Sequence, residues 1–396
     1  MIDESYALNR AIIEAVISFL TELNCNIRVL LVGDVQQIPP IVNGEHSAET
    51  TIDASLASSA EYHSATKLVL HSQFRHQDHP YSVFVTSVGN GTVPCLTDHP
   101  LTDLSISFSA IALPLIRNVF VENDSCPQSS TSNIETSCDQ AISWLYGHTP
   151  DGQLDTGNGF KAIIVTSNAS RRYWNQKVRQ LRKLLRAKNH HTTVKSHTYH
   201  ALHLTNLIGC DESTFGEESL IDDAELINEA DPHVPLAELE LEVGDICLLA
   251  LTIDRTSGLV KNQRVVIVEL RHNAVRVRRD FEDGTCSFHT ITRFPMQFDM
   301  HKHRGLKIIR TQLPLIHAYA MTVNKSQGQT LDGVLLDLRA AFFDHGHAYV
   351  ALSRVRSRTS IGVFVNDQAS SLTIFHLAKC PIVLCLTCIC PNHILL

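Results

Sequence analysis

The run Arg28-Val29-Leu30-Leu31-Val32 is continuously apolar after its arginine, stops at Gly33-Asp34 and is followed by the locking pair Pro39-Pro40. A strand with one wet face alternates apolar and polar side chains. A continuous run must instead be covered on both faces, as parallel strands of α/β proteins are. Its polar stop then lies at the C-terminal edge of the sheet, where such folds bind ligands. Lys161–Val165, running into Thr166-Ser167-Asn168, predicts a second strand of this kind, and Val334–Leu338 and Ile361–Val365 predict two more. The implied class is doubly wound α/β.

Two polar clusters adjoin these runs, Thr322-Val323-Asn324-Lys325-Ser326-Gln327-Gly328-Gln329-Thr330 and Tyr349-Val350-Ala351-Leu352-Ser353-Arg354. Polar side chains at this density are costly to bury unless each other or a ligand satisfies them, and Lys, Gln and Arg together suit an anion. At the N-terminus, Asp3-Glu4 is the pair expected at the end of a buried strand, one carboxylate for Mg²⁺ and one to orient a water. Each cluster alone is also compatible with a capped loop or a solvated charge. Their order along the chain is the stronger signal.

The segments "IDES", "LLVGDVQQIPPI", "SQFRH", "AMTVNKSQGQTL" and "YVALSRVRS" stand in the order of motifs II to VI of superfamily-one DNA helicases. The chain resembles the PIF (petite integration frequency) helicases and the helicase half of Helitron rolling-circle transposases, from about Met1 to Val365. Val88-Gly89-Asn90-Gly91-Thr92 and Asp344-His345-Gly346-His347-Ala348-Tyr349 are similar to the same group. The resemblance implies RecA-like motor domains, a 5′ to 3′ ATP-dependent DNA helicase acting on single strands and duplex junctions, and a nuclear setting. Repair, recombination, telomere maintenance or rolling-circle transposition are the processes it implies.

By the same resemblance Asp3 takes Mg²⁺ and Glu4 positions the attacking water, Gln37 senses the γ-phosphate of ATP, and Arg75 and Arg354 point across the cleft. Gln327 and Gly328 join that cleft, Gly328 because close backbone approach leaves no room for a Cβ. Thr166, Ser167, Asn168, Thr322, Asn324 and Lys325 are candidates for the single-strand path, though capping loops use the same residue types. A helicase of this group also needs GxxxxGK[ST] to cradle the phosphates, and no Gly-Lys dipeptide occurs here. The expectation is a fragment whose first motor domain is partial; the alternative is an inactive remnant that still binds single-stranded nucleic acid. A metal-dependent nuclease is disfavoured, because no further carboxylate or His-pair cluster is present.

The expected layout is 1–70 for the rest of the first motor domain, 71–240 and 306–370 for the second, 241–305 for a small inserted β-barrel and 371–396 for a divergent tail. The barrel rests on strands at Leu241–Leu249, Gln263–Leu270, Ala274–Arg279 and Ser287–Phe294, separated by the turns Thr256-Ser257-Gly258, Arg271-His272-Asn273 and Glu282-Asp283-Gly284. The net charge of -8 is local: Asp211–Glu242 holds twelve acids and no Lys or Arg, leaving 33 basic against 29 acidic residues elsewhere. Conversely Arg171–Lys195 holds nine cations and no acid, with Trp174, Val178, Leu181 and Leu185 on one helical stripe. Its basic face is either solvated or a phosphate contact. The 11 Cys suit reduced core thiols better than a disulfide framework, and Cys380, Cys385, Cys388 and Cys390, near His376 and His393, lack the pairing of a zinc site.

Overall fold

The computed structural model describes residues 1–24, 27–42, 48–70, 75, 76, 78–90, 118–122, 136–157, 160–188, 195–207, 233–299, 306–340, 342 and 346–366. The Cys-rich tail with His376 and His393, the acidic residues 211–231, Gly91-Thr92 and Asp344-His345 lie outside them. The chain divides into two compact units. Met1–Leu145, Ile163–Ser167 and Met321–Leu396 form the first, Tyr146–Ala162 and Asn168–Ala320 the second.

Helices of the first unit are α1 (Arg10–Glu22), α2 (Ala48–Ala54), α3 (Ala60–Ser64), α4 (His79–Gly89) and α5 (Ser137–Tyr146). The second unit holds α6 (Asn168–Lys188), and the first resumes with α7 (Val323–Ser326) and α8 (His347–Leu352). The main sheet of the first unit contains β1 (Asn118–Glu122), β2 (Lys161–Val165), β13 (Ala320–Thr322), β14 (Gly333–Asp337) and β15 (Ile361–Asn366), in the order β1-β15-β14-β2-β13. β1 and β14 flank β15 in parallel. β14 is buried throughout and β2 beyond its first residue, as continuously apolar runs require.

Arg28–Val32 lies beside the N-terminal segment through the parallel bridge Ile2↔Leu31, with Ile2 N–H donating to Leu30 O and Val32 N–H to Ile2 O. Tyr6, Ile13, Leu56, Ala57 and Tyr62 form the core beneath it. Lys67–Leu70, apolar enough to suggest a further strand, forms none. Further along, β12 (Leu315–His317) joins the second unit's sheet and β13 the first unit's.

The second unit is built on antiparallel strands. β6 (Ile246–Leu249), β7 (Arg264–Leu270), β8 (Ala274–Asp280) and β9 (Cys286–Thr292) follow one another as a meander, with β12 outside β6. β3 (Ser196–His200) pairs with β5 (Glu238–Glu242), and β4 (Leu202–Leu207) joins the hairpin of β10 (Phe294–Asp299) and β11 (Leu306–Gln312). Alternate residues Val275, Val277, Val265 and Ile267 meet Tyr199, Leu239 and Leu241 in one core. The predicted turns hold, with Gly258 and Gly284 at φ 67° and 83°. Among the described residues no pairing joins β9 back to β12, so these five strands form an open sheet rather than a closed barrel.

The basic helix is present as α6, with Trp174, Val178 and Leu181 buried. Four of its eight cations are paired with acids of their own unit. Arg179 and Lys183 meet the Glu240 carboxylate at 2.7 and 2.8 Å, Arg186 pairs with Glu242, and Arg182 pairs with fully buried Asp245. Tyr319 O–H donates to the same Asp245 at 2.8 Å, Glu242 N–H donates at 2.9 Å, and His317 approaches at 3.3 Å. Burial alone would raise the Asp245 carboxyl, but His317 and Arg182 outweigh it and hold the group well below the usual carboxylate range. Opposite charge patches some sixty residues apart are thus one structural device.

Candidate nucleotide site

The first unit gathers most of the anticipated site. Asp3 is exposed, and its Oδ1 accepts the Glu4 N–H at 2.9 Å. Glu4 sits in the left-handed region at φ 51°, a conformation that turns the chain sharply at the strand end and starts a short 3₁₀ turn at Ser5–Ala7. Ser5 anchors that turn, its N–H and Oγ–H both donating to Val32 O. Gly33 lies so close beneath that a Cβ would meet Ser5 Oγ and Tyr6 N at 3.0 Å.

Gln327 Nε2 donates to Glu4 Oε2 at 3.2 Å across 323 positions of sequence. α7 and the left-handed Gly328, at φ 74°, shape the loop that presents it. A Cβ on Gly328 would meet no protein atom within 4 Å, and the positive φ is itself a conformation that favours glycine.

Arg354 is almost fully buried, and among the described residues no carboxylate is hydrogen-bonded to it. Its guanidinium donates to Val350 O at 2.8 Å, Gln329 O at 3.1 Å, Ser326 O at 3.3 Å and Ser353 Oγ at 2.8 Å. Burial first, and the Arg75 cation second, lower its pKa from the ordinary arginine value to about 10. Arg75 donates to Ser353 O at 3.2 Å, which brings the two arginines together. Between them His76 is held below its ordinary value by burial and then by both cations. Glu4 and Asp34 offset this positive charge only in part, a setting that favours an anion.

Sequence reasoning overlooked the residues that join these pieces. Tyr349 O–H donates to Asp34 Oδ2 at 2.9 Å, and Asp34 also accepts Gln36 N–H at 2.9 Å and Gln37 Nε2 at 3.4 Å. Gln37 Oε1 is buried with no hydrogen-bond partner. Gly346, at φ 75°, lets α8 begin against the Gln37 carbonyl, which a Cβ would approach to 2.5 Å. Gln36 in turn bonds Asn90 at the end of α4. The signal available was the glycines themselves; nothing local marks Tyr349 or Asp34 as partners.

The candidate strand-path residues divide. Thr166 and Ser167 follow β2, and Thr322 ends its sheet neighbour β13, with Asn324 exposed and Lys325 half-buried on α7. Asn168 opens α6 in the other unit, its Oδ1 buried without a hydrogen-bond partner.

No protein-family model matches the chain. Among curated proteins, the ATP-dependent DNA helicase PIF1 of Danio rerio is 34% identical over 159 residues, 38% of this chain and 23% of that protein. The Homo sapiens PIF1 helicase is likewise 34% identical over 154 residues, and Trypanosoma brucei PIF6 is 56% identical over 61. Over part of its length this chain is similar to PIF1-type DNA helicases. The match spans about a quarter of the length of the PIF1 relatives. Among solved structures, Candida albicans Pif1 aligns with TM-score 0.55 and 16% identity over 95% of this chain and 74% of that one. Bacteroides Pif1 bound to single-stranded DNA aligns with TM-score 0.53 and 17% identity over 91% and 69%. These likenesses give the fold, that of the RecA-like Pif1 helicases. No helix of the described residues is long and apolar enough to cross a membrane.

Proposed function

We propose that this chain is the greater part of an ATP-driven DNA helicase motor, acting in the nucleus on single strands and duplex junctions. The observation that carries the reading is the hydrogen bond from Gln327 to Glu4 beside the Arg75–Arg354 pair. Residues from opposite ends of the chain converge where a triphosphate needs an acid on one side and cations on the other. In this reading Glu4 orients the attacking water, Arg75 and Arg354 stabilise charge on the transferred phosphoryl group, and Gln37 reports its presence through Asp34 and Tyr349. Mg²⁺ is commonly held by one or two carboxylates plus substrate phosphates. Asp3, exposed and with Oδ2 unengaged, fits that role, and the ion would screen phosphate charge.

A bare apolar surface supports the view that further α/β layers complete the motor. Ile12, Val16 and Phe19 on α1 and Leu23 at its C-cap are exposed, as are Ile27, Val29 and Leu30 of the segment that was expected to form a strand covered on both faces. The test compares the 396-residue chain with the same chain preceded by a P-loop segment taken from the curated relatives. Strong DNA-stimulated phosphate release is expected only from the longer protein, and Glu4→Gln or Arg354→Ala should each lower it roughly 10³-fold or more. Release unchanged by both substitutions overturns the assignment.

A further inference from the structure

The outer face of the β6–β9 sheet is covered along β6 and β7, where Ile246, Leu248 and Val266 are buried, and as far as Arg278, which donates to Gly157 O at 3.1 Å. Beyond that line the face is open. Phe288 on β9 is 50% exposed, and the Arg276 guanidinium of β8 lies over its ring at 5.2 Å from the centroid. Thr290 stands directly across from Arg276 in the register. Arg276 donates no hydrogen bond among the described residues, its partners being the Phe288 ring and the charge of Glu269.

Charge accumulates at the same end. Glu269, opposite Arg276 in the β7–β8 register, bonds Arg271 at 2.9 and 3.0 Å and also feels Arg276 and Lys195. One carboxylate thus faces three cations, with the exposed rings of His197 and His272 in contact nearby. An aromatic face, a stacked guanidinium and surplus positive charge are what a flexible polyanion with flat bases recognises. A buried-core role would not leave half of a phenylalanine in water, and a solvated arginine would not need the ring.

We infer that Phe288 and Arg276 form a stacking platform for single-stranded nucleic acid on the antiparallel unit, separate from the candidate residues Thr166, Ser167, Thr322, Asn324 and Lys325 of the first unit. The inference rests on the nucleic-acid reading above and adds a site to it. Phe288 supplies the stacking surface for one base, Arg276 closes the stack and contacts phosphate, and Arg271 and Lys195 steer the backbone.

Fluorescence anisotropy of labelled oligothymidine with the whole chain, without nucleotide, tests it. Phe288→Ala should weaken binding roughly 5- to 100-fold, the effect of losing one stacked base, while Phe288→Trp should retain it. Arg276→Gln should reduce the slope of log affinity against log salt by about 0.7. A blunt duplex offers no free base face, so its affinity should not respond to Phe288→Ala. Unchanged oligothymidine affinity in Phe288→Ala and Arg276→Gln, with folding verified by circular dichroism, overturns the platform alone. An equal loss on the duplex overturns the stacking assignment. Failure of the unsubstituted chain to bind overturns the nucleic-acid reading together with the platform.

Discussion

Asp245 offers the sharpest test of how the second unit holds its basic helix. Its carboxylate is fully buried and receives Arg182, the Tyr319 hydroxyl and the Glu242 amide, with His317 at its second oxygen. Asp245→Asn keeps the shape but leaves the Arg182 cation, itself deeply buried, without its counter-charge. Removing one partner of a buried pair costs about 3–5 kcal/mol, because the other charge is left desolvated. Arg182→Met should cost a similar amount for the same reason. The double variant Asp245→Asn, Arg182→Met has no stranded charge, so its loss should fall short of the sum by about 2–3 kcal/mol.

The chain has two tryptophans, Trp144 in the first unit and Trp174 buried on α6. In a Trp144→Phe background, Trp174 fluorescence during urea titration therefore reports the second unit. At about 1–3 kcal/mol per molar urea, each single variant should lower the midpoint by roughly 1–5 M. The sign with pH follows from the depressed carboxyl. Asp245 contributes stability that is fully present above its unfolded pKa, about pH 4, and declines as pH falls below it. Asp245→Asn should flatten that acid limb. Additive losses in the double variant, or an acid limb unchanged by Asp245→Asn, would refute the argument that this ion pair neutralises α6.

Gly346→Ala should destabilise the first unit by about 1–2 kcal/mol from its left-handed backbone alone, and by more once the methyl meets the Gln37 carbonyl; Trp144 fluorescence in a Trp174→Phe background reads it, and a wild-type midpoint would contradict the contact. Tyr349→Phe removes a donor from Asp34 and should cost about 1–3 kcal/mol in a thermal melt, whereas Asp34→Asn combined with it should add little. In the P-loop-extended protein, Tyr349→Phe should also uncouple DNA stimulation from phosphate release, and stimulation at the unsubstituted level would separate the Asp34 link from Gln37 sensing.

What the amino-acid order determined here is local. Of the unbroken apolar runs, Lys161–Val165, Val334–Leu338 and Ile361–Val365 became the buried strands β2, β14 and β15, whereas Arg28–Val32 forms only an isolated bridge and leaves Val29 and Leu30 exposed. The turn glycines Gly258 and Gly284 cut the antiparallel meander at the anticipated points, because conformations with positive φ suit almost no other residue. Tertiary structure alone decided which distant side chains meet. Whether α6 was a phosphate-binding face depended on acids some sixty residues away, and electrostatic pairing acts through space without leaving a periodic trace in the chain. The same holds for Tyr349 and Asp34, and for Gln327 and Glu4, whose bonds exist only once the first unit has folded. Closure of a sheet likewise depends on the pairing of its last strand with its first, which no turn signal between neighbours can specify.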